Sequence, residues 1–160
     1  MKNLNPQHLM ELLELVNKGP YFQLLSMRIS SLAFGYCRLE VNVDKKHLNP
    51  FGLLHGGVYA SILDTVTYWS LYCEMPEESG LITLDNSVDY LHSVKGGKLI
   101  AEGKRIYAGR RICTAEATVM DEYSKLLAHG KSKQMVVNGM QTIGYAVESM
   151  GYKPLPPKFL

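Results

Sequence analysis

"LNPFGLLHGGVYASILDTVTYWSLYCEM", Leu48 to Met75, is the stretch on which the fold turns. From Gly56 to Cys73 the apolar side chains Val58, Tyr59, Ile62, Leu63, Val66, Tyr68, Trp69, Leu71 and Tyr72 fall on every side of the helical circle. A helix that is apolar all round is a buried helix. Pro76 cannot continue it, so "MPEESG" ends it and Gly80 opens the next segment. Between Lys46 and Glu74 the only Asp, Glu, Lys or Arg is Asp64. A carboxylate there is costly unless it is satisfied. Three readings stand: neighbouring Ser61, Thr65 and Thr67 hydroxyls satisfy it, it faces solvent, or it does chemistry.

The flanks read as strands. "YCRLEVNVD" alternates, with Cys37, Leu39, Val41 and Val43 on one face, and Gly35 suits a hairpin back to a less regular run over 22–34. Four further strands are predicted near 81–92, 98–107, 111–120 and 125–136, separated by "KGG", "AGR" and "DEYSK". In the first of these, Ile82, Leu84, Val88 and Tyr90 are expected to oppose Thr83, Asp85, Ser87 and Asp89. Such short connections mean antiparallel pairing. An amphipathic helix is predicted over 6–18, stopped by Gly19-Pro20, and "KPLPPKFL" reads as an extended tail prone to disorder. The expected fold is α+β: about six antiparallel strands wrapped around one long helix, within a single domain over 1–160 whose core spans about 22–137. An open sheet leaves an edge to cover, and a second copy is a common solution.

Composition narrows the function classes. A net charge of +2 with no Lys/Arg-rich block gives no footprint for nucleic acid. No window offers the roughly 20 uninterrupted apolar residues of a membrane span. Glu11 and Glu14 interrupt the apolar N-terminal stretch, so it does not read as a secretory signal. The three cysteines are odd in number and widely spaced, unlike a disulfide framework or a CxxC metal site, so a reducing, cytoplasmic setting is expected. His47, His55, His92 and His129 show no ligand spacing with them, and no metal or other cofactor is expected.

"HGG" sits directly before the apolar run. Two glycines let another molecule approach the backbone, and at a helix start their N–H groups lack intrahelical partners at the positive end of the dipole. That suits a carbonyl oxygen acquiring negative charge. Gly56 and Asp64 are eight residues apart, about 12 Å along a helix. One substrate carbonyl cannot touch both. Either the two features are unrelated, or a second, antiparallel copy brings its own Asp64 to this helix start.

These residues resemble a family. Asn49, Gly52, His55, Gly56, Gly57 and Asp64 are similar to the pattern of the hotdog-fold acyl-CoA thioesterases of the phenylacetic-acid-pathway (PaaI-like) type, and "TLDNSVDYLHSVKGG" resembles their third strand and turn. The resemblance covers about 22–137. It implies dimers, often paired into tetramers, with the active site at the dimer interface and an acyl- or aryl-CoA substrate. It casts Asp64 as general base or nucleophile, Gly56 as the N–H donor to the thioester carbonyl, Asn49 and His55 as site-shaping residues, and Thr83 as a hydroxyl near the attacking water. Gly57, at the same helix start, is a candidate substrate-binding residue. Arg110 and Arg111 are candidates for CoA phosphates, since arginine suits bidentate phosphate contacts. Where the family commonly reads "YLRP", this chain has Tyr90-Leu91-His92-Ser93, without the Arg and Pro. Two other functions fit the same residues: an acyl-CoA-sensing protein without turnover, and a dehydratase of 3-hydroxyacyl thioesters using His55 with Asp64.

Overall fold

The computed structural model describes residues 3–160. Helix α1 (Pro6–Asn17) and helix α2 (Pro20–Leu25) lead into strands β1 (Met27–Ala33) and β2 (Tyr36–Asn42). A single helical turn, Lys45–His47, precedes the long helix α3 (Gly56–Tyr72). Strands β3 (Ser79–Tyr90), β4 (Lys98–Ala108), β5 (Ile112–Asp121) and β6 (Leu126–Asn138) follow, and helix α4 (Ile143–Ser149) comes last.

All six strands form one antiparallel sheet in the order β1-β2-β4-β5-β6-β3. Helix α3 lies across it and touches every strand. Its Ile62, Leu63, Val66 and Leu71 have no exposed surface. Full burial of each such side chain stabilises by about 1.5–3 kcal/mol, so the all-round apolar pattern is what holds the helix in the sheet. Gly103 of β4 allows the close approach: a Cβ there would stand 2.3 Å from the Val66 carbonyl oxygen.

Two predicted elements differ. The run over 22–34 is not all strand, because residues 20–25 form α2. Pro20 occupies a first-turn helical position where its missing N–H costs nothing, so the proline that ends one helix opens the next. The tail is ordered as well. Asn5 N–H donates to the Lys158 carbonyl at 2.9 Å, Leu4 bridges to Phe159, and α4 precedes this docked segment. Lys158 is buried, and its ammonium donates to the Tyr72 and Met75 carbonyls just where α3 ends. A lysine thereby satisfies carbonyls that a helix C-terminus leaves unpaired. Nothing in the local pattern of "KPLPPKFL" reveals a partner more than eighty residues away.

Strand β3 departs from simple alternation. Its register with β6 slips between Thr83 and Asp85, so Leu84 is left over and is 53% exposed. The bulge changes the phase. Thr83 pairs with Gln134, Asn86 with Ser132 and Val88 with Gly130, so Thr83 shares the helix-facing side with Val88. The expectation that Thr83 stands with Asp85 on a polar outer face is therefore wrong. One extra residue in a strand re-aims every side chain beyond it.

Candidate active site

Helix α3 starts at a built cap. His55 is its N-cap, and its Nδ1 accepts from the Gly57 N–H at 2.8 Å. A Cβ on Gly57 would meet that ring nitrogen at 2.9 Å, so a side chain there would push the ring away from its cap. The Gly56 N–H has no partner among the described residues. A Cβ on Gly56 would touch the Tyr90 ring at 3.3 Å, which brings the Tyr90-Leu91-His92-Ser93 turn against the helix start. Tyr59 Oη donates to the His92 carbonyl at 3.0 Å and ties the turn down.

The loop leading to the cap is pinned by buried His47. Its Nδ1 accepts from the Asp44 N–H at 2.8 Å, which leaves Nε2 to donate to the Leu25 carbonyl, also at 2.8 Å. The His47 carbonyl then receives the His55 N–H at 2.9 Å. Asn49 Oδ1 accepts from the N–H groups of Phe51 (3.0 Å) and Leu53 (3.2 Å), folding the loop by a side-chain turn.

Asp64 lies two turns further along α3, half-buried on the helix face that the sheet leaves open, in line with Gly57, Ser61 and Tyr68. Thr83 Oγ1 is 2.9 Å from Asp64 Oδ1 and 3.0 Å from Gln134 Oε1. Gln134 Nε2 is in turn 2.7 Å from Ser132 Oγ. Thr67 Oγ1 donates to the carbonyls of Leu63 (2.7 Å) and Asp64 (3.0 Å), so it does not serve the carboxylate. Burial, foremost, and the Asp64 charge push the Tyr68 phenol up, so it stays protonated beside the carboxylate.

Of the residues singled out from sequence, Asp64 meets Thr83, and His55, Gly56 and Gly57 share the helix start. Because α3 is one unbroken helix from Gly56 to Tyr72, these two groups stay about 12 Å apart along its axis. Arg110 and Arg111 are exposed in the β4–β5 turn, outside both groups. Among the described residues no three His, Cys, Asp or Glu side chains gather as metal ligands, and no helix is long and apolar enough to cross a membrane.

The thioesterase superfamily model matches residues 51–128, a segment that holds the helix start, Asp64 and Thr83. A protein of Archaeoglobus fulgidus whose name carries the word esterase is 31% identical over 120 residues, covering 73% of this chain and 75% of its own length. The chain belongs to the thioesterase superfamily. It is similar also to mouse acyl-coenzyme A thioesterase 13, 24% identical over 82% of this chain and 96% of that one. The crystal structure of a Haemophilus influenzae thioesterase overlays on it with a TM-score of 0.75 at 25% identity, covering 82% and 92% of the two chains. This thioesterase is thus a hydrolase on the hotdog fold, the expected wrap of sheet around helix.

Sequence reasoning missed Gln134 and Ser132 as neighbours of the candidate site. A signal for both was present. Ala128, Gly130, Ser132 and Gln134 share a strand face, and this face turns from small and apolar to polar just opposite Thr83.

Proposed function

We propose that the protein hydrolyses acyl-CoA thioesters to a carboxylic acid and free CoA. Asp64 of one copy would act with the Gly56 N–H of a second. The observation that carries this reading is the Asp64–Thr83 pair on the open face of α3, on the same unbroken helix as an unpartnered N–H about 12 Å away. Neither group alone completes a site for acyl transfer, which needs an activated nucleophile and a donor for the oxyanion. Two helices packed antiparallel about a two-fold axis bring each carboxylate to the other's helix start. The edge strand supports the pairing. β1 is flanked by α1 and α2, whereas among the described residues β3 pairs with β6 alone and carries exposed Leu84 and Tyr90. An uncovered edge of this kind is a template for a second strand.

In this reading Asp64 takes a proton from water as the water oxygen bonds to the thioester carbon. The carbonyl oxygen becomes an oxyanion against the Gly56 N–H and the positive end of α3. The C–S bond then breaks, and the departing thiolate takes up the proton that Asp64 received, which restores the carboxylate. These steps use side chains and backbone alone, with no metal or redox group. Arg110 and Arg111 are proposed to meet CoA phosphates at the rim.

The test is thiol release from a panel of acyl- and aryl-CoAs. Turnover that falls about 100-fold or more in Asp64→Asn, with KM little changed, is the expected result. Absence of turnover across the panel, with tight acyl-CoA binding, would favour the sensing function instead.

A further inference from the structure

Resting on the reading of Asp64 as the reacting carboxylate, we propose that Gln134 is a positioning residue that makes the Thr83 hydroxyl donate to Asp64. Gln134 is fully buried, at 0% exposure, and its neighbour Ser132 is at 1%. They lie on the helix-facing side of β6, where the adjoining residues are Gly130 and Ala128. A buried amide and a buried hydroxyl bring no packing advantage over apolar side chains. They are tolerated only when hydrogen-bonded.

The distances define a chain: Ser132 Oγ to the Gln134 amide at 2.7 Å, the other end of that amide to Thr83 Oγ1 at 3.0 Å, and Thr83 Oγ1 to Asp64 Oδ1 at 2.9 Å. Thr83 has one hydroxyl proton and two contacts. If the Gln134 oxygen faces it, two acceptors compete for that proton, and the Ser132 proton has no partner among the described residues. If the Gln134 nitrogen faces it, every group is used once. Ser132 donates to Gln134 Oε1, Gln134 Nε2 donates to Thr83 Oγ1, and Thr83 donates to Asp64 Oδ1. The amide oxygen and nitrogen are exchangeable by a half-turn, and the network decides between them. The consistent network runs one way. It commits one Asp64 oxygen to Thr83 and leaves the other for the water.

The register explains why this lands on Thr83. Thr83 pairs directly with Gln134, immediately before the β3 bulge. Asn86, just past the bulge, donates from Nδ2 to the Ala60 carbonyl at 3.1 Å. That carbonyl is the one an α-helix pairs with the Asp64 N–H. The bulged segment therefore holds Asp64 from both its side chain and its backbone.

Two measurements test the proposal. The first is kinetic, on Gln134→Met, Thr83→Val and the double variant, with thermal melts to confirm that each folds. Gln134→Met should lower kcat about tenfold with KM within about twofold, the size of one lost bond to a charged group. In the Thr83→Val background it should change kcat by less than about twofold, because its route is already removed. An unchanged kcat in the single variant, or an equal loss in both backgrounds, overturns the proposal. The second measurement needs no turnover: the side-chain amide proton resonances of Gln134 by NMR. They should move more on Thr83→Val than on Ser132→Ala. The reverse order overturns the orientation. If the unaltered protein releases no thiol from any substrate, the hydrolytic reading fails, and the NMR comparison still decides the Gln134 orientation.

Discussion

Thr83 Oγ1 lies 2.9 Å from Asp64 Oδ1, joining the edge strand of the sheet to its central helix. The residues are nineteen apart in sequence and meet because Thr83 lies on the helix-facing side of β3, in phase with buried Leu81 and just ahead of the bulge. Removing the hydroxyl without changing shape, as in Thr83→Val, should lower kcat about tenfold and leave KM within about twofold, since the bond serves the carboxylate and not substrate binding. Steady-state thiol release checks it, and a change confined to KM would count against it.

The Gly56 N–H can be deleted by itself. Gly56 is the first residue of α3, a position at which proline is well tolerated, and His55 before it is already extended at φ −67° and ψ 134°. Gly56→Pro should keep the melting temperature within a few degrees. It should cut kcat about 100-fold, the usual effect of losing one oxyanion donor. Gly56→Ala is the control: it keeps the N–H, and only the movable Tyr90 ring stands in its way.

Gly103 is a packing requirement. An added Cβ would stand 2.3 Å from the Val66 carbonyl oxygen and 3.1 Å from Val66 Cγ2, so helix and strand must part. Gly103→Ala should destabilise by about 2–3 kcal/mol, the upper range for an overpacked core. Denaturant unfolding measures it. Gly139→Ala, where the chain has open space but a φ of +66°, should cost less.

Lys158 makes stability depend on pH. Burial, the largest cause, pushes its ammonium down from 10.5 to about 8, against the opposing pull of Cys73, Glu77 and Glu74. Between pH 8 and 9 the folded lysine has largely released a proton that the unfolded chain still holds. The unfolded state binds more protons, so stability rises with pH over this window. From about pH 8 upward the thiols of Cys37, Cys73 and Cys113, whose values burial raises, act increasingly with the opposite sign. The unfolding free energy should therefore climb from pH 7.5 to about 8.5, with a smaller slope in Lys158→Met. Equal slopes in the two proteins would remove Lys158 from the explanation.

The fold was legible in sequence where local pattern and tertiary demand agree. An all-round apolar helix has to be wrapped, and short turns make neighbouring strands antiparallel. The candidate site was legible where chain neighbours build it: His55, Gly56 and Gly57 form a cap within three residues. What stayed hidden depends on distant partners. The Thr83–Gln134 pairing needs the register, and the register needs the bulge, which alternation of apolar residues does not announce. Lys158 gave no sign that it closes the end of α3, because a lysine among prolines reads as solvated tail. Pro20 misled in another way, since a residue that stops one helix also opens one.

That Asp64 and Gly56 act from different copies is tested most directly by mixing two inactive variants. Asp64→Asn and Gly56→Pro, each purified and inactive, are dissociated together, reassociated and assayed for thiol release. A mixed dimer keeps one site with both an intact Asp64 and an intact Gly56 N–H, so activity should return to about half that of the unaltered protein per mixed dimer. If the mixture forms mixed dimers and stays as inactive as its components, the carboxylate and the helix start do not meet across two copies.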